Sequence, residues 1–99
     1  MNVSGFNRIR KSLQDAENRR IAHLNELAFR TRPTWDEIER GFRLGNEFRE
    51  IHAAALDSFA AHPRRFPATM PTMLLQSALV LSQALHILDH LARSFHSRQ

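Results

Sequence analysis

Apolar side chains recur at intervals of three and four along three stretches of the chain. At about 100° per residue, such spacing places them on one side of an α-helix. The prolines lie between these stretches or at the start of one: Pro33, Pro63, Pro67 and Pro71. We therefore predict three long antiparallel helices, over about 6–30, 35–61 and 70–95, in a single all-α domain spanning 1–99.

The start of the second predicted helix has the clearest local signal. Thr34 precedes the helix and Glu37 follows three residues later, which is the spacing of a capping box. Asp36 and Glu37 also place negative charge at the positive end of the helix dipole. We expect the helix to begin directly after Thr34.

The second and third predicted helices have wide apolar faces. A helix in a small bundle buries a stripe somewhat wider than about 100°, whereas the third predicted helix is apolar over about half its circumference. Small chains also bury a smaller fraction of their surface than large ones. We expect a second copy to complete the bundle as a homodimer, although a tightly packed monomer would also account for the excess.

Composition limits the classes of protein that remain. The 99 residues are 42% hydrophobic and 24% charged, which is typical of a folded domain, and the absence of cysteine excludes disulfides and thiol chemistry. No signal or lipidation motif is recognisable at the N-terminus, and Asp89 interrupts the most apolar stretch, so we expect a cytoplasmic protein without a membrane contact. Thirteen arginines against one lysine are typical of a GC-rich bacterial or phage genome.

The charge is uneven along the chain. Residues 1–32 have a net charge of +4, residues 33–62 of −3 and residues 63–99 of +3. This distribution allows the helices to neutralise one another, but the basic first helix also suits a phosphate backbone. The candidate nucleic-acid residues are Arg8, Arg10, Lys11 and Arg19.

The segment between the second and third helices is a candidate protein-binding element. Arg64, Arg65 and Phe66 stand between two prolines, which stiffen the segment. The three side chains would suit an acidic or aromatic partner surface. In the alternative interpretation, Phe66 covers the end of the bundle and both arginines face water.

Four further residues are candidates for partner binding because of their place on predicted apolar faces. Gly41 and Gly45 lie one turn apart, which allows another helix to approach closely. His52 lies near the centre of the same face, either as a hydrogen-bonded core residue or at an interface that its protonation would weaken. Arg20 lies on the apolar face of the first helix, and if it is buried it requires a carboxylate from another helix, another subunit or an acidic ligand. In the alternative interpretation, its long side chain extends to the edge of this face and keeps the guanidinium in water.

Histidine spacing does not indicate a metal centre. His86 and His90 are four residues apart, but Ile87 follows the first histidine where a zinc-protease motif has glutamate, and both lie on a polar face. We expect no metal, no cofactor and no catalytic site. The sequence favours a small cytoplasmic interaction protein, such as an adaptor, chaperone-like partner or inhibitor, with nucleic-acid binding as the alternative.

Overall fold

The computed structural model describes residues 3–97, which form three long helices and one short 3₁₀ turn. Helix α1 spans Val3–Ala28, α2 spans Trp35–Ala61 and α3 spans Met70–Ser97, and the 3₁₀ turn spans Pro63–Arg65. No strand occurs within this described range. The all-α prediction with three helices is confirmed.

Both ends of helix α1 lie earlier in the chain than predicted. It begins three residues earlier than expected and ends at Ala28, two residues earlier. The early end has a local cause, because Phe29 donates to the Glu26 carbonyl (3.2 Å) and Arg30 donates to the Leu27 carbonyl (3.0 Å). These hydrogen bonds span three residues instead of four, so they tighten the last turn and end the helix.

The capping box at the start of α2 is confirmed. The Thr34 hydroxyl accepts the Glu37 amide N–H (3.2 Å), and the Glu37 carboxylate accepts the Thr34 amide N–H (3.1 Å). Arg30 adds an ion pair to the same carboxylate (3.2 Å). The backbone N–H of Thr34, assisted by its hydroxyl and by Arg30, lowers the pKa of Glu37 below its usual value.

Helix α2 is the central element, and its neighbours run antiparallel to it. Near one end of the bundle, the ring N–H of His23 in α1 donates to the Glu37 carbonyl in the first turn of α2 (2.7 Å). At the same end, Trp35 packs on Phe95 near the end of α3, with ring centroids 5.6 Å apart. Helices α1 and α3 consequently run in the same direction, within a molecule that measures 53 × 18 × 17 Å.

The core follows the inner face of α2 and continues to the far end of the bundle. Phe48, Ile38, Met70 and Leu88 are the largest completely enclosed side chains. At the far end, Phe66 packs against the core, with its ring 6.0 Å from that of Phe59. The aromatic side chain after the 3₁₀ turn therefore covers this end of the core.

Candidate functional site

A long groove separates α1 from α3. Both helices pack closely against α2, but they hardly approach each other. Two open cavities, of about 520 and 530 Å³, follow one another along this separation, and we call them together the α1/α3 groove. Each cavity is lined by side chains of both helices, so the groove is accessible from one side of the bundle.

The two halves of the α1/α3 groove differ in chemistry. The half nearer the start of α1, called the amide-rich half, contains these polar side chains: Arg10, Gln14, Glu17, Gln76, Ser77 and Gln83. The other half, called the apolar half, contains these hydrophobic side chains: Ile21, Leu24, Leu27, Ala28, Ile87 and Leu91. The amide-rich half is also lined by Leu13, Met73, Leu79 and Val80, and the apolar half by Asn25 and Arg30. Hydrocarbon therefore follows the whole groove, and polar side chains are more numerous in the amide-rich half.

Arg20 is buried between α1 and α2, with only 2% of its surface exposed, and it lines neither cavity of the α1/α3 groove. Its guanidinium carbon lies over the Phe48 ring, 5.6 Å from the centroid, while Nε and Nη2 have no hydrogen-bond partner. Burial lowers the pKa of Arg20, and the nearby Glu17 carboxylate opposes this effect. The two residues form no ion pair within the described part of the chain. The condition stated from the sequence, that Arg20 is buried, is met, but its Nε and Nη2 have no partner among the described residues.

Helix α3 exposes much of its apolar surface. Leu75, Leu79 and Ile87 are 62%, 56% and 49% exposed, and the latter two line the groove. By length and composition alone α3 could cross a membrane, and 22% of its most apolar window is buried inside the protein. The wide apolar face expected from the sequence is therefore only partly covered by α1 and α2.

Gly41 and Gly45 are buried inside the bundle. A Cβ atom at Gly41 would lie 2.5 Å from a Leu88 methyl group and 3.3 Å from the His23 ring, whereas one at Gly45 would lie 3.1 Å from a Leu85 methyl group. The close approach that this spacing predicts takes place with α1 and α3 of the same chain. Neither glycine lines the α1/α3 groove.

Two histidines join the helices through hydrogen bonds. The ring N–H of the half-buried His52 donates to the Leu74 carbonyl in α3 (2.8 Å), and its ring stacks on Phe48. His23, which the sequence did not single out, is 5% exposed, and its Nδ1 has no partner. His52 is therefore placed as a hydrogen-bonded link between helices, and its role in partner binding stays a prediction.

The segment after α2 forms a second, smaller site. Arg64 and Arg65 are exposed, and Arg65 lines a cavity of about 580 Å³ together with Arg8, His62 and Asp57. Among the described residues, neither Arg8 nor Arg65 forms an ion pair. Two cations that are far apart in the sequence thus meet at the end of the bundle.

The other candidate nucleic-acid residues do not join this site. Arg10 lines the α1/α3 groove, Arg19 lines a crevice between α1 and α2, and Lys11 is exposed. The four cations proposed from the sequence are therefore distributed around α1 and do not form one continuous basic surface with each other.

His86 and His90 are both exposed on α3, and Asp89 pairs with Arg93 (2.9 Å). Within the described range, no three side chains of the metal-binding types are grouped closely enough to hold an ion.

Glu17 and Ile87 are two of the groove residues that sequence reasoning missed. Glu17 lies one turn before Arg20, and Ile87 lies between the two histidines that were considered as ligands. The wide apolar face of α3 was a signal that Ile87 belongs to an uncovered apolar surface, but only the separation of α1 from α3 reveals the groove.

Comparison with known proteins finds no matching family model, no similar curated protein and no similar solved structure.

Proposed function

We propose that this chain is a small non-enzymatic interaction protein that acts through the α1/α3 groove, as a cytoplasmic homodimer. The observation that carries the proposal is the open α1/α3 groove, which is lined by both helices and in which Leu79 of α3 is 56% exposed. Large apolar side chains that remain exposed along one groove are typical of a surface that binds another polypeptide.

The exposed apolar surface supports the same proposal. Ile21 and Ile87, from different helices, are 40% and 49% exposed within the apolar half of the groove. Covering such side chains is worth about 25 cal/mol per Å² of apolar surface removed from water, which favours association with another polypeptide. An adaptor, a chaperone-like partner or an inhibitor would use such a surface in the same way.

Light scattering from low to high micromolar concentration tests the proposal. We expect a dimer of the wild-type protein that Ile87→Glu dissociates, because a carboxylate would be buried in the apolar half of the groove. Leu75→Glu is the matched control, since Leu75 is an exposed α3 leucine outside the groove lining. A monomer at every concentration contradicts the homodimer, and dissociation by Leu75→Glu alone contradicts the choice of surface.

The proposal includes a cytoplasmic location. This part needs its own test, because α3 is long and apolar enough to cross a membrane. Asp89 and Arg93 place an ion pair in this helix, and charged side chains are costly in the centre of a membrane. We expect the full chain to stay in the supernatant when host membranes are sedimented. Recovery in the membrane fraction, resistant to high salt and carbonate, would contradict this expectation.

A second candidate function is binding of a phosphate backbone at the end of the bundle. Arg8 and Arg65 support it because both line one cavity and neither is paired with a carboxylate there. Binding to random duplex and single-stranded nucleic acid should weaken steeply with salt and should be lost in Arg8→Glu/Arg65→Glu. Arg43→Glu on α2 serves as the charge-matched control, and no binding at low salt excludes this function.

A further inference from the structure

Phe29 is the most exposed large hydrophobic side chain among the described residues. It is 90% exposed, whereas Leu75, the next in order, is 62% exposed. The residue directly follows α1, where its amide N–H donates to the Glu26 carbonyl (3.2 Å). An aromatic side chain has a large apolar area, so a surface that covers this ring removes much hydrocarbon from water.

The apolar half of the α1/α3 groove begins next to this ring. Its cavity of about 530 Å³ is lined by Ala28 and Arg30, the two chain neighbours of Phe29, but not by Phe29 itself. The ring therefore lies outside the cavity of its own chain. The chain thus presents an uncovered apolar cavity and, at its edge, an uncovered apolar ring.

The chemistry of this cavity suits an aromatic occupant. Arg30 lines it together with hydrocarbon side chains, and the Arg30 Nε forms an ion pair with the Glu37 carboxylate (3.2 Å). A guanidinium group held at its edge can still stack its face on an aromatic ring. Because Glu37 pairs the charge within the chain, a ring that covers Arg30 leaves no unpaired cation. The hydrocarbon side chains are those of Ile21, Leu24, Leu27, Ala28, Ile87 and Leu91.

Two-fold symmetry supplies such a ring from a second copy. In an isologous interface the same surface occurs on both copies, so every contact is made twice. Because Phe29 and the cavity are adjacent on one chain, a two-fold axis beside them brings each ring to the cavity of the other copy. Both rings and both cavities are then covered by one closed interface.

We propose that Phe29 of one copy enters the apolar half of the α1/α3 groove of a second copy, which inserts its own Phe29 in return. This inference rests on the proposed function and names the side chain that occupies the groove in the homodimer. It accounts for an exposed ring at the edge of a cavity that the ring does not line.

Removal of the ring tests the contact. We expect Phe29→Ala to raise the dissociation constant of the dimer at least about tenfold in sedimentation equilibrium. Helicity and the urea midpoint of the dilute monomer should stay those of the wild type, because the side chain is exposed. Phe29→Tyr retains a ring and should dimerise like the wild type. Leu75→Ala, which removes an exposed side chain outside the groove lining, is the matched control.

A mixture of two variants tests whether the ring passes between copies. Phe29→Ala has an intact cavity without the ring, whereas Ile87→Glu has the ring and a carboxylate in its cavity. Neither variant should pair with itself, but a heterodimer of the two contains one intact contact. With one variant fluorescently labelled, we expect the heterodimer to be at least about tenfold tighter than either homodimer and weaker than the wild-type dimer.

The outcomes separate the inference from the proposed function. A dimer that Phe29→Ala leaves intact, or that Leu75→Ala weakens equally, overturns the role of Phe29 and leaves the homodimer standing. A mixture that associates no better than its separate variants overturns the exchange between copies. A less stable Phe29→Ala monomer shows that the ring covers its own chain, which also overturns the inference. A wild-type chain that is monomeric at high micromolar concentration overturns both the inference and the homodimer.

Discussion

Arg20 places a guanidinium group inside the bundle, on the ring of Phe48. The cation–π contact is worth about 0.5–2 kcal/mol, whereas removing a charge from water costs more unless hydrogen bonds replace those with water. Nε and Nη2 lack such bonds. We therefore expect Arg20 to destabilise the isolated chain.

Replacing Arg20 by methionine should stabilise the isolated chain. Arg20→Met removes the buried charge and fills a similar volume, so we expect the free energy of unfolding to rise by about 1–3 kcal/mol after loss of the cation–π contact. Urea denaturation at low micromolar concentration measures the change. Lys11→Met, which removes an exposed cation from the same helix, should have little effect. A lower stability of Arg20→Met would show that Arg20 serves folding.

Gly41 and Gly45 should respond differently to the same substitution. Alanine gains about 1 kcal/mol over glycine inside a helix, but overpacking a core costs about 1–3 kcal/mol. A Cβ at Gly41 meets the completely buried Leu88 at 2.5 Å, while one at Gly45 meets the half-buried Leu85 at 3.1 Å. We expect Gly41→Ala to lower the free energy of unfolding by about 1–2 kcal/mol.

Gly45→Ala provides the matched comparison, because Leu85 can move toward solvent. We expect this variant to be as stable as the wild type or more stable by up to about 1 kcal/mol, measured by the same urea titration. Equal destabilisation by both substitutions would contradict the different packing of the two glycines.

At the scale of single elements, the capping box links the stability of α2 to pH. The pKa of Glu37 is lowered in the folded protein, so folding favours the ionised carboxylate. The contribution of Glu37 to the free energy of unfolding is fully present above the pKa that this carboxyl group has in the unfolded chain, about 4.3. It is lost as the pH falls through the lower pKa of Glu37 in the folded protein.

Glu37→Gln tests this dependence, because glutamine retains a capping oxygen without the charge. The wild type should have the higher melting temperature near neutral pH, and the difference should diminish as the pH falls below about 4. Thermal unfolding followed by circular dichroism between about pH 7 and pH 3 measures it. Thr34→Ala, which removes the hydroxyl of the box, should reduce the pH dependence. A constant difference over the whole range would argue against the linkage.

Helix α3 combines two roles along its length. Met70, Leu74, Leu81 and Leu88 lie in the core, while Leu79 and Ile87 on the same helix are exposed in the groove. A helix with apolar residues on more than its inner face is expected to bury the rest against another element. Helix α3 therefore contributes both to the core of the chain and to the exposed surface proposed for association.

At the scale of the whole molecule, association should make stability depend on protein concentration. A partner that binds only the folded chain stabilises it by mass action, so the wild-type melting temperature should rise between low and high micromolar concentration. The melting temperature of Ile87→Glu should change much less, because this substitution places a carboxylate in the surface proposed for association. Scanning calorimetry on reversible transitions measures both. A wild-type melting temperature that is independent of concentration would contradict dimerisation.

Sequence reasoning predicted the elements well because their signals are local. Thr34 and Glu37 specify the start of α2 through contacts only three residues apart, and the spacing of apolar residues specifies three helices. The end of α1 was predicted two residues late. The hydrogen bonds of Phe29 and Arg30 that end the helix have no distinctive sequence signal.

The candidate site depends on the distances between helices, and these distances cannot be derived from the spacing of residues along one helix. The sequence placed Arg20 on the apolar face of α1, but its burial over Phe48 depends on where α2 packs. Likewise, Arg8 and Arg65 meet only because α1 begins where α2 ends. The periodicity of apolar residues specifies which side of a helix is apolar. The separation of α1 from α3 decides between a closed core and an open groove, and it results from the packing of whole side chains against α2.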